Sequence, residues 1–276
     1  MRVVFSDNGT LTDYTKLLED YYSGSASLSI KAAEDALYIG SKFPFNSFFI
    51  KVGTANSSTC AMTVKYWDYN VWQDVNELFD ETSVGGKTLA VSGKVSFVPD
   101  KDQLWARSST NYGGEVIPVL SSISIYDCYW IKITFSADIT VAIPYIGHKF
   151  CNDNDLGVEY PDLNKTNVKT AFASGKTDWE EQIVRASDIL LNDLKTSNMI
   201  FDEGQILDTD VLKFPTVSKV AEMIYSSFGD DYKDNESKAK GKYWERVRSC
   251  RPVIDLNMNA IEDQKESKTY YGVMYR

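Results

Sequence analysis

The spacing of apolar residues changes once along the chain, and the change predicts two kinds of secondary structure. Between about residues 28 and 142, short apolar or alternating runs are separated by turn residues, which is typical of an antiparallel β-sandwich or barrel. The runs that show this pattern best are residues 36–40, 48–52, 62–67, 95–98 and 129–135. A short strand is expected before them, and residues 10–22 favour one or two turns of helix.

In the C-terminal half the apolar period becomes helical. A first helix is expected to begin at a capping box formed by Thr177 and Glu180, because an apolar stripe at three- and four-residue spacing follows. The stripe comprises Trp179, Ile183, Ala186, Leu190 and Leu194. A second helix is expected after Pro215 and ends at Gly229. A third is expected over about residues 231–251, whose acidic start and basic end suit the helix dipole.

A polar stretch around Pro161 separates the two patterns and marks the expected domain boundary. The sequence therefore predicts a multidomain α+β protein. An antiparallel β-sandwich is expected at residues 1–160, a small helical domain at residues 161–262, and an extended C-terminal tail at residues 263–276.

Composition excludes some partners. Hydrophobic residues make up 43% and charged residues 25% of the 276, as in ordinary globular proteins. A net charge of -10 and a pI of about 4.7 disfavour sequence-specific nucleic-acid binding, although an acidic channel wall would let DNA slide past without gripping it. No stretch is apolar enough to span a membrane and the N-terminus lacks the apolar core of a signal peptide, so we expect cytoplasmic synthesis and no membrane partner.

Candidate catalytic residues are few. The single histidine, His148, precedes Cys151, but an H-x-x-C spacing alone assembles neither an oxyanion hole nor an orienting third group, so a structural histidine is favoured over a nucleophile pair. The common nucleotide-binding, zinc-protease and serine-hydrolase motifs do not occur in the sequence. Neighbouring carboxylates such as Asp80 and Glu81 are expected on solvated faces. We therefore expect a protein that is not an enzyme and uses no cofactor.

Residues 152–157 contain two short carboxylates, Asp153 and Asp155, ahead of a glycine, which hints at a calcium loop. An EF-hand would also require a glutamate at its twelfth position and flanking helices. A turn held by side-chain hydrogen bonds to the backbone is therefore favoured, and metal binding stays open.

Two segments are candidates for contacts with partners. Trp67, Tyr69 and Trp72 either bind a sugar on the sheet surface or fill the core, and core packing is favoured. The apolar C-terminal segment would add a strand to its own domain or to a neighbouring subunit, or would remain a free tail. Its candidate assembly residues are Tyr270, Tyr271, Val273, Met274 and Tyr275.

Several motifs of the N-terminal half resemble those of virion proteins of tailed bacteriophages. They are residues 37–46 (LYIGSKFPFN), Tyr66-Trp67-Asp68 with Trp72, Asp80-Glu81-Thr82, Gly93, Phe97, and Tyr129-Trp130-Ile131. This half is similar in layout to discoidin-like or jelly-roll-like sandwich modules, and the helix order of the other half resembles phage head-to-tail adaptor proteins.

The resemblance implies a connector, or neck, subunit of the virion. Such a subunit docks on the portal protein, joins the head to tail and neck proteins, and usually forms a homo-oligomeric twelve-fold ring. Packaged DNA would pass through the ring without sequence-specific contact, and the family offers no catalytic residues. The alternative is a carbohydrate-binding virion module that acts in host attachment through Trp67, Tyr69 and Trp72.

Overall fold

The computed structural model describes residues 1–108, 117–123 and 127–262. Over these ranges antiparallel sheets form the N-terminal region and helices the C-terminal region, so the expected α+β class is confirmed. The chain separates into two compact units. One comprises Met1–Gly147 together with the segment that begins at Asp255, and the other comprises His148–Ile254. The boundary lies after Gly147 and not near residue 160, because residues 152–159 already belong to the helical unit.

The described residues of the first unit form thirteen strands, one short α-helix and one 3₁₀ helix (Pro118–Ile123). The strands are β1 (Arg2–Asp7), β2 (Thr10–Asp13), β3 (Ala26–Ile30), β4 (Ala36–Ser41), β5 (Ser47–Lys51), β6 (Met62–Trp67), β7 (Trp72–Asp74), β8 (Glu77–Asp80), β9 (Gly93–Val98), β10 (Arg107–Ser108), β11 (Cys128–Phe135), β12 (Ile139–Ile143) and β13 (Tyr145–Gly147). The helix α1 (Thr15–Leu18) follows β2, so residues 10–22 contain a strand and a single helical turn.

The strands form one large sheet and two smaller ones. The seven-stranded sheet has the order β2-β1-β4-β11-β6-β7, and β10 also pairs with β11. A four-stranded sheet has the order β13-β5-β9-β8, and β12 pairs with β3. Backbone hydrogen bonds between Thr54 and Ala142 connect the β12-β3 pair to the extension of β5.

Register places the apolar residues of the large sheet on one buried face. Ile131 of β11 lies between Ile39 of β4 and Tyr66 of β6, and all three are buried. Neighbouring side chains along a strand point to opposite faces, so Trp130 and Lys132 project from the other side. We call this other side the outer face of the large sheet.

Aromatic rings connect the large sheet to the four-stranded sheet. The ring of Trp105 lies 5.7 Å from that of Tyr66 on β6 and 6.2 Å from that of Phe97 on β9, measured between centroids. Phe45 lies 5.5 Å from the same Trp105 ring. The apolar side chains of both sheets therefore meet in one aromatic cluster.

The second unit contains five α-helices and three 3₁₀ turns. The helices are α2 (Asp153–Glu159), α3 (Thr166–Phe172), α4 (Glu180–Thr196), α5 (Lys213–Ser227) and α6 (Lys233–Ser249). The 3₁₀ turns are Glu203–Gln205, Asp210–Leu212 and Asp230–Tyr232. No helix among the residues described here carries an apolar stretch long enough to cross a membrane.

The three predicted helices are present, with changes at their ends. All five residues of the predicted α4 stripe are buried, as expected. The capping box is wrong, because α4 begins at Glu180, whose backbone N–H donates to Asp178 Oδ1 at 3.1 Å. The second helix, α5, begins before Pro215, which sits in the first turn where a missing N–H costs no hydrogen bond. Gly229 follows α5 at a φ of 80°, a conformation that favours glycine.

Candidate functional site

The three candidate sugar-binding aromatics do not form one platform. Trp67 is buried, and its ring packs 5.3 Å from the ring of Trp72. Tyr69 lies in the β6–β7 turn, where it is 45% exposed and has a φ of 62°. Trp72 is only partly buried, and its ring also lies 5.6 Å from that of Tyr38. Trp67 is thus a core residue, whereas Trp72 is a partly exposed aromatic residue on the outer face.

A row of cross-strand neighbours that includes two lysines crosses the outer face of the large sheet, and we call it the lysine row. By register, Tyr38 of β4 lies opposite Lys132 of β11, Lys132 lies opposite Lys65 of β6, and Lys65 lies opposite Asp74 of β7. The Lys65 Nζ forms an ion pair with Asp74 Oδ1 at 3.0 Å. Burial, followed by the nearby Lys65 charge, lowers the pKa of Lys132. Single-sequence patterns cannot reveal this row, since its residues are far apart along the chain.

Part of the outer face is covered by the chain itself. Trp130 packs over Gly40, where a Cβ would approach the Trp130 ring to 2.8 Å. Residues of the β9–β11 connection, including Ala106, Ile117 and Leu120, join Trp130 and Tyr38 in one buried cluster. The next row away from this cover pairs Thr134 with Thr63, and Thr63 is exposed. The lysine row therefore lies between a covered aromatic region and an open, hydroxyl-bearing one.

The proposed calcium loop is the start of helix α2. Asn152 caps the helix by accepting from the backbone N–H groups of Asn154 and Asp155, and the Asp155 carboxylate accepts from the Asn152 N–H at 2.9 Å. Asp153 Oδ1 accepts from the Trp179 N–H at 2.9 Å, and Asp153 Oδ2 accepts from Lys169 Nζ at 2.6 Å. The expected side-chain hydrogen bonds to the backbone are present, but they cap a helix and do not hold an isolated turn. Protein donors occupy both carboxylates, and no His, Cys, Asp and Glu group suited to a metal occurs among the described residues.

The pKa shifts of Cys151 and His148 do not suit a nucleophilic thiolate and its base. Burial, followed by the Asp155 charge, raises the pKa of the Cys151 thiol far above its ordinary value. Burial lowers the pKa of His148 to about 4, against the opposing effect of Glu203. The His148 ring stacks 5.8 Å from that of Phe150. A catalytic thiolate requires a lowered cysteine pKa, so the raised pKa of Cys151 favours a packing role for its thiol, and the contact with Phe150 favours one for His148.

The Asp80 carboxylate organises a loop. Its Oδ1 accepts from the Thr82 backbone N–H at 2.9 Å and from the Thr82 hydroxyl at 2.5 Å, while its Oδ2 accepts from the Thr88 hydroxyl at 2.5 Å. Glu81 accepts from the Lys94 N–H at 3.3 Å. Both carboxylates of this sequence pair thus hold backbone or neighbouring hydroxyl groups in place.

Two exposed apolar residues belong to the same surface as a partly buried arginine of the helical unit. Arg246 of α6 donates to Glu159 Oε2 of α2 at 2.8 Å, and to the Phe214 carbonyl and the Ser218 hydroxyl of α5 at 3.0 and 2.7 Å. Phe214, whose ring centroid lies 5.6 Å from the Arg246 guanidinium carbon, is 60% exposed, and Val158, which precedes Glu159 in α2, is 87% exposed. We call Val158, Phe214 and the Arg246–Glu159 pair the Arg246 surface. It was not predicted, because neither apolar residue belongs to a helical stripe.

The C-terminal assembly candidates, Tyr270, Tyr271, Val273, Met274 and Tyr275, lie outside the described residues.

Comparison with known proteins identifies no relative: no protein-family model matches the sequence, and no curated protein sequence matches it.

Proposed function

We propose that the chain is a structural virion protein of a tailed bacteriophage, a subunit of the head-to-tail connector that docks on the portal. It is supported by the sequence resemblance and by the order of a strand-rich unit followed by a helical unit. The observation that carries it is the Arg246 surface, where two exposed apolar side chains lie next to an ion-paired and hydrogen-bonded network. Apolar groups rimmed by polar ones are typical of protein–protein contacts.

The same proposal extends to the fold of the first unit. We infer that its seven-stranded sheet and its four-stranded sheet pack face to face as a discoidin- or jelly-roll-like sandwich. The support is the Trp105 ring, which contacts Tyr66 of one sheet and Phe97 of the other. In a connector ring this unit would present its surface outward, and the chain would act through contact and not through catalysis.

The proposed mechanism is geometrical. Arg246 fixes the relative positions of α2, α5 and α6, so the apolar side chains of the Arg246 surface are held in place before binding. A preorganised surface loses little entropy on association. Neighbouring copies in a ring, the portal and the tail proteins are the proposed partners. The net charge of -10 would let packaged DNA pass without being held.

The test is assembly on the portal protein of the same phage. Wild-type chain is expected to co-sediment with portal rings, whereas Val158→Ser and Phe214→Ser variants bind more weakly because apolar contact area is lost. Val84→Ser is the matched control, since Val84 is 54% exposed but belongs to the first unit. A variant that lacks residues 269–276 tests the tail separately. Unchanged co-sedimentation of both serine variants and of the truncated chain would refute the proposal.

A further inference from the structure

On strands β6, β7 and β11, the outer face of the large sheet has two adjacent lysines and one carboxylate. Lys132 and Lys65 are direct cross-strand neighbours, and Asp74 pairs with Lys65 alone. Within the described ranges, no carboxylate forms an ion pair with Lys132. Like charges directly opposite each other destabilise an antiparallel pair of strands. The sheet therefore carries a local excess of positive charge that an anion would neutralise.

The surroundings strengthen any anion contact at this place. Both lysines are partly buried, and the Lys65 side chain keeps 31% of its accessible surface. Charges near a protein surface interact more strongly than charges in bulk water, because the protein lowers the effective dielectric constant. An anion between the two ammonium groups would thus be held more firmly than at exposed lysines.

The groups around the lysines suit a sugar. Trp72 belongs to β7 and Tyr38 to β4, yet their rings lie 5.6 Å apart although β6 and β11 run between those strands. The Trp72 ring therefore extends over the outer face towards the lysine row, with part of its surface open. On the other side of the row, Thr63 and Thr134 offer hydroxyl groups two residues further along their strands.

We propose that this face binds a carboxylate-bearing sugar, independently of the connector function. The sugar carboxylate would sit between Lys132 and Lys65 and accept hydrogen bonds from both ammonium groups. A C–H face of the sugar ring would stack on Trp72, and its hydroxyls would exchange hydrogen bonds with Thr63 and Thr134.

Overall charge favours a short acidic sugar over a nucleic acid. The net charge of -10 repels a polyanion along its whole length. A single carboxylate senses mainly the groups within about 8–10 Å at physiological salt, where the two lysines dominate.

The experiment is calorimetric titration of the full chain with a trimer of galacturonic acid. The comparison ligands are the same trimer with its carboxyl groups reduced to alcohols, sodium acetate, inorganic phosphate and a short DNA duplex. Lys132→Met and Trp72→Ala variants test the site. Lys31→Met is the matched control, because Lys31 is an exposed lysine of the same unit whose ion pair with Asp138 lies elsewhere.

The acidic trimer is expected to bind the wild type and the Lys31→Met variant equally. Loss of one charge-assisted hydrogen bond should weaken binding by about tenfold or more in Lys132→Met, and the loss of stacking should weaken it in Trp72→Ala. Urea unfolding of Lys132→Met should show no loss of stability, since the substitution removes a repulsion. The proposal is overturned if the trimer gives no binding heat or binds Lys132→Met as it binds the wild type. It is equally overturned if the reduced trimer, acetate, phosphate or DNA binds as tightly as the acidic trimer.

Discussion

Substitutions in the Asp153–Lys169 ion pair test whether Asp153 stabilises the helical unit as a structural carboxylate or acts as a metal ligand. The Lys169 side chain retains only 9% of its accessible surface and that of Asp153 retains 25%. An Asp153→Asn substitution keeps an acceptor for the Trp179 N–H but leaves the Lys169 charge without its partner. Removing one member of a fully buried pair costs about 3–5 kcal/mol. Since Asp153 is a quarter exposed, we expect a loss of about 2–3 kcal/mol in the free energy of unfolding.

The measurement is urea unfolding followed by far-ultraviolet circular dichroism, which reports mainly on the helices. An Asp162→Asn variant is the control, because its ion pair with Lys165 is exposed and should contribute less than about 1 kcal/mol. A Lys169→Met substitution in the Asp153→Asn background should restore most of the stability, as it removes the unpaired buried charge. The expected coupling energy is about 2 kcal/mol.

Two results would refute this reasoning. Additive effects of the Asp153 and Lys169 substitutions would show that the two groups do not interact. A rise in wild-type stability on addition of calcium would show that Asp153 and Asp155 bind a cation despite their protein donors. We expect calcium to leave the unfolding midpoint unchanged.

Three further predictions concern packing, protonation and thiol reactivity. Gly40→Ala should destabilise the first unit by about 1–3 kcal/mol in urea, because its Cβ would clash with Trp130, whereas Gly241→Ala in α6 should stabilise by about 0.5–1 kcal/mol because nothing obstructs it. His148 should make unfolding acid-sensitive, because its pKa is lowered to about 4 in the folded chain. Its contribution to the free energy of unfolding is complete above about pH 6.5, where the histidine is neutral in both states, and is lost as the pH falls towards 4. A His148→Gln variant should flatten the urea-midpoint profile between those pH values, and an unchanged slope would contradict the assignment. Burial raises the pKa of Cys128 to about 11, so this thiol should not react with Ellman's reagent at about pH 8 until the chain is unfolded.

The sequence predicted the elements whose side chains show a regular period. Helix α4 was recognisable because its stripe, from Trp179 to Leu194, is apolar on one face only, and the structure buries that face. Strand β11 was recognisable because its residues alternate. In both cases one local period reports on one buried face, which is the information that a single sequence carries most directly.

Helix α2 was missed for a physical reason. Its Asn152–Asp155 capping box uses an aspartate where glutamate or glutamine is usual, and Leu156 is its one buried residue. Gly157 suggested a turn, but the structure uses it for close approach, since a Cβ there would come within 2.6 Å of Asn164 Nδ2. With so little apolar surface, the helix depends on tertiary contacts that a local pattern does not contain.

The two proposed binding surfaces depend on different levels of structure, and this makes them separable. The lysine row exists only through strand register, which aligns Lys132 with Lys65 although they lie on distant segments of the chain. The Arg246 surface exists through one side chain that joins three helices. Because each belongs to a unit with its own core, Lys132→Met should leave portal binding intact, and Val158→Ser should leave binding of the acidic trimer intact. Loss of both activities in either single variant would mean that one surface serves both ligands, and the assignment of separate functions to the two units would have to be given up.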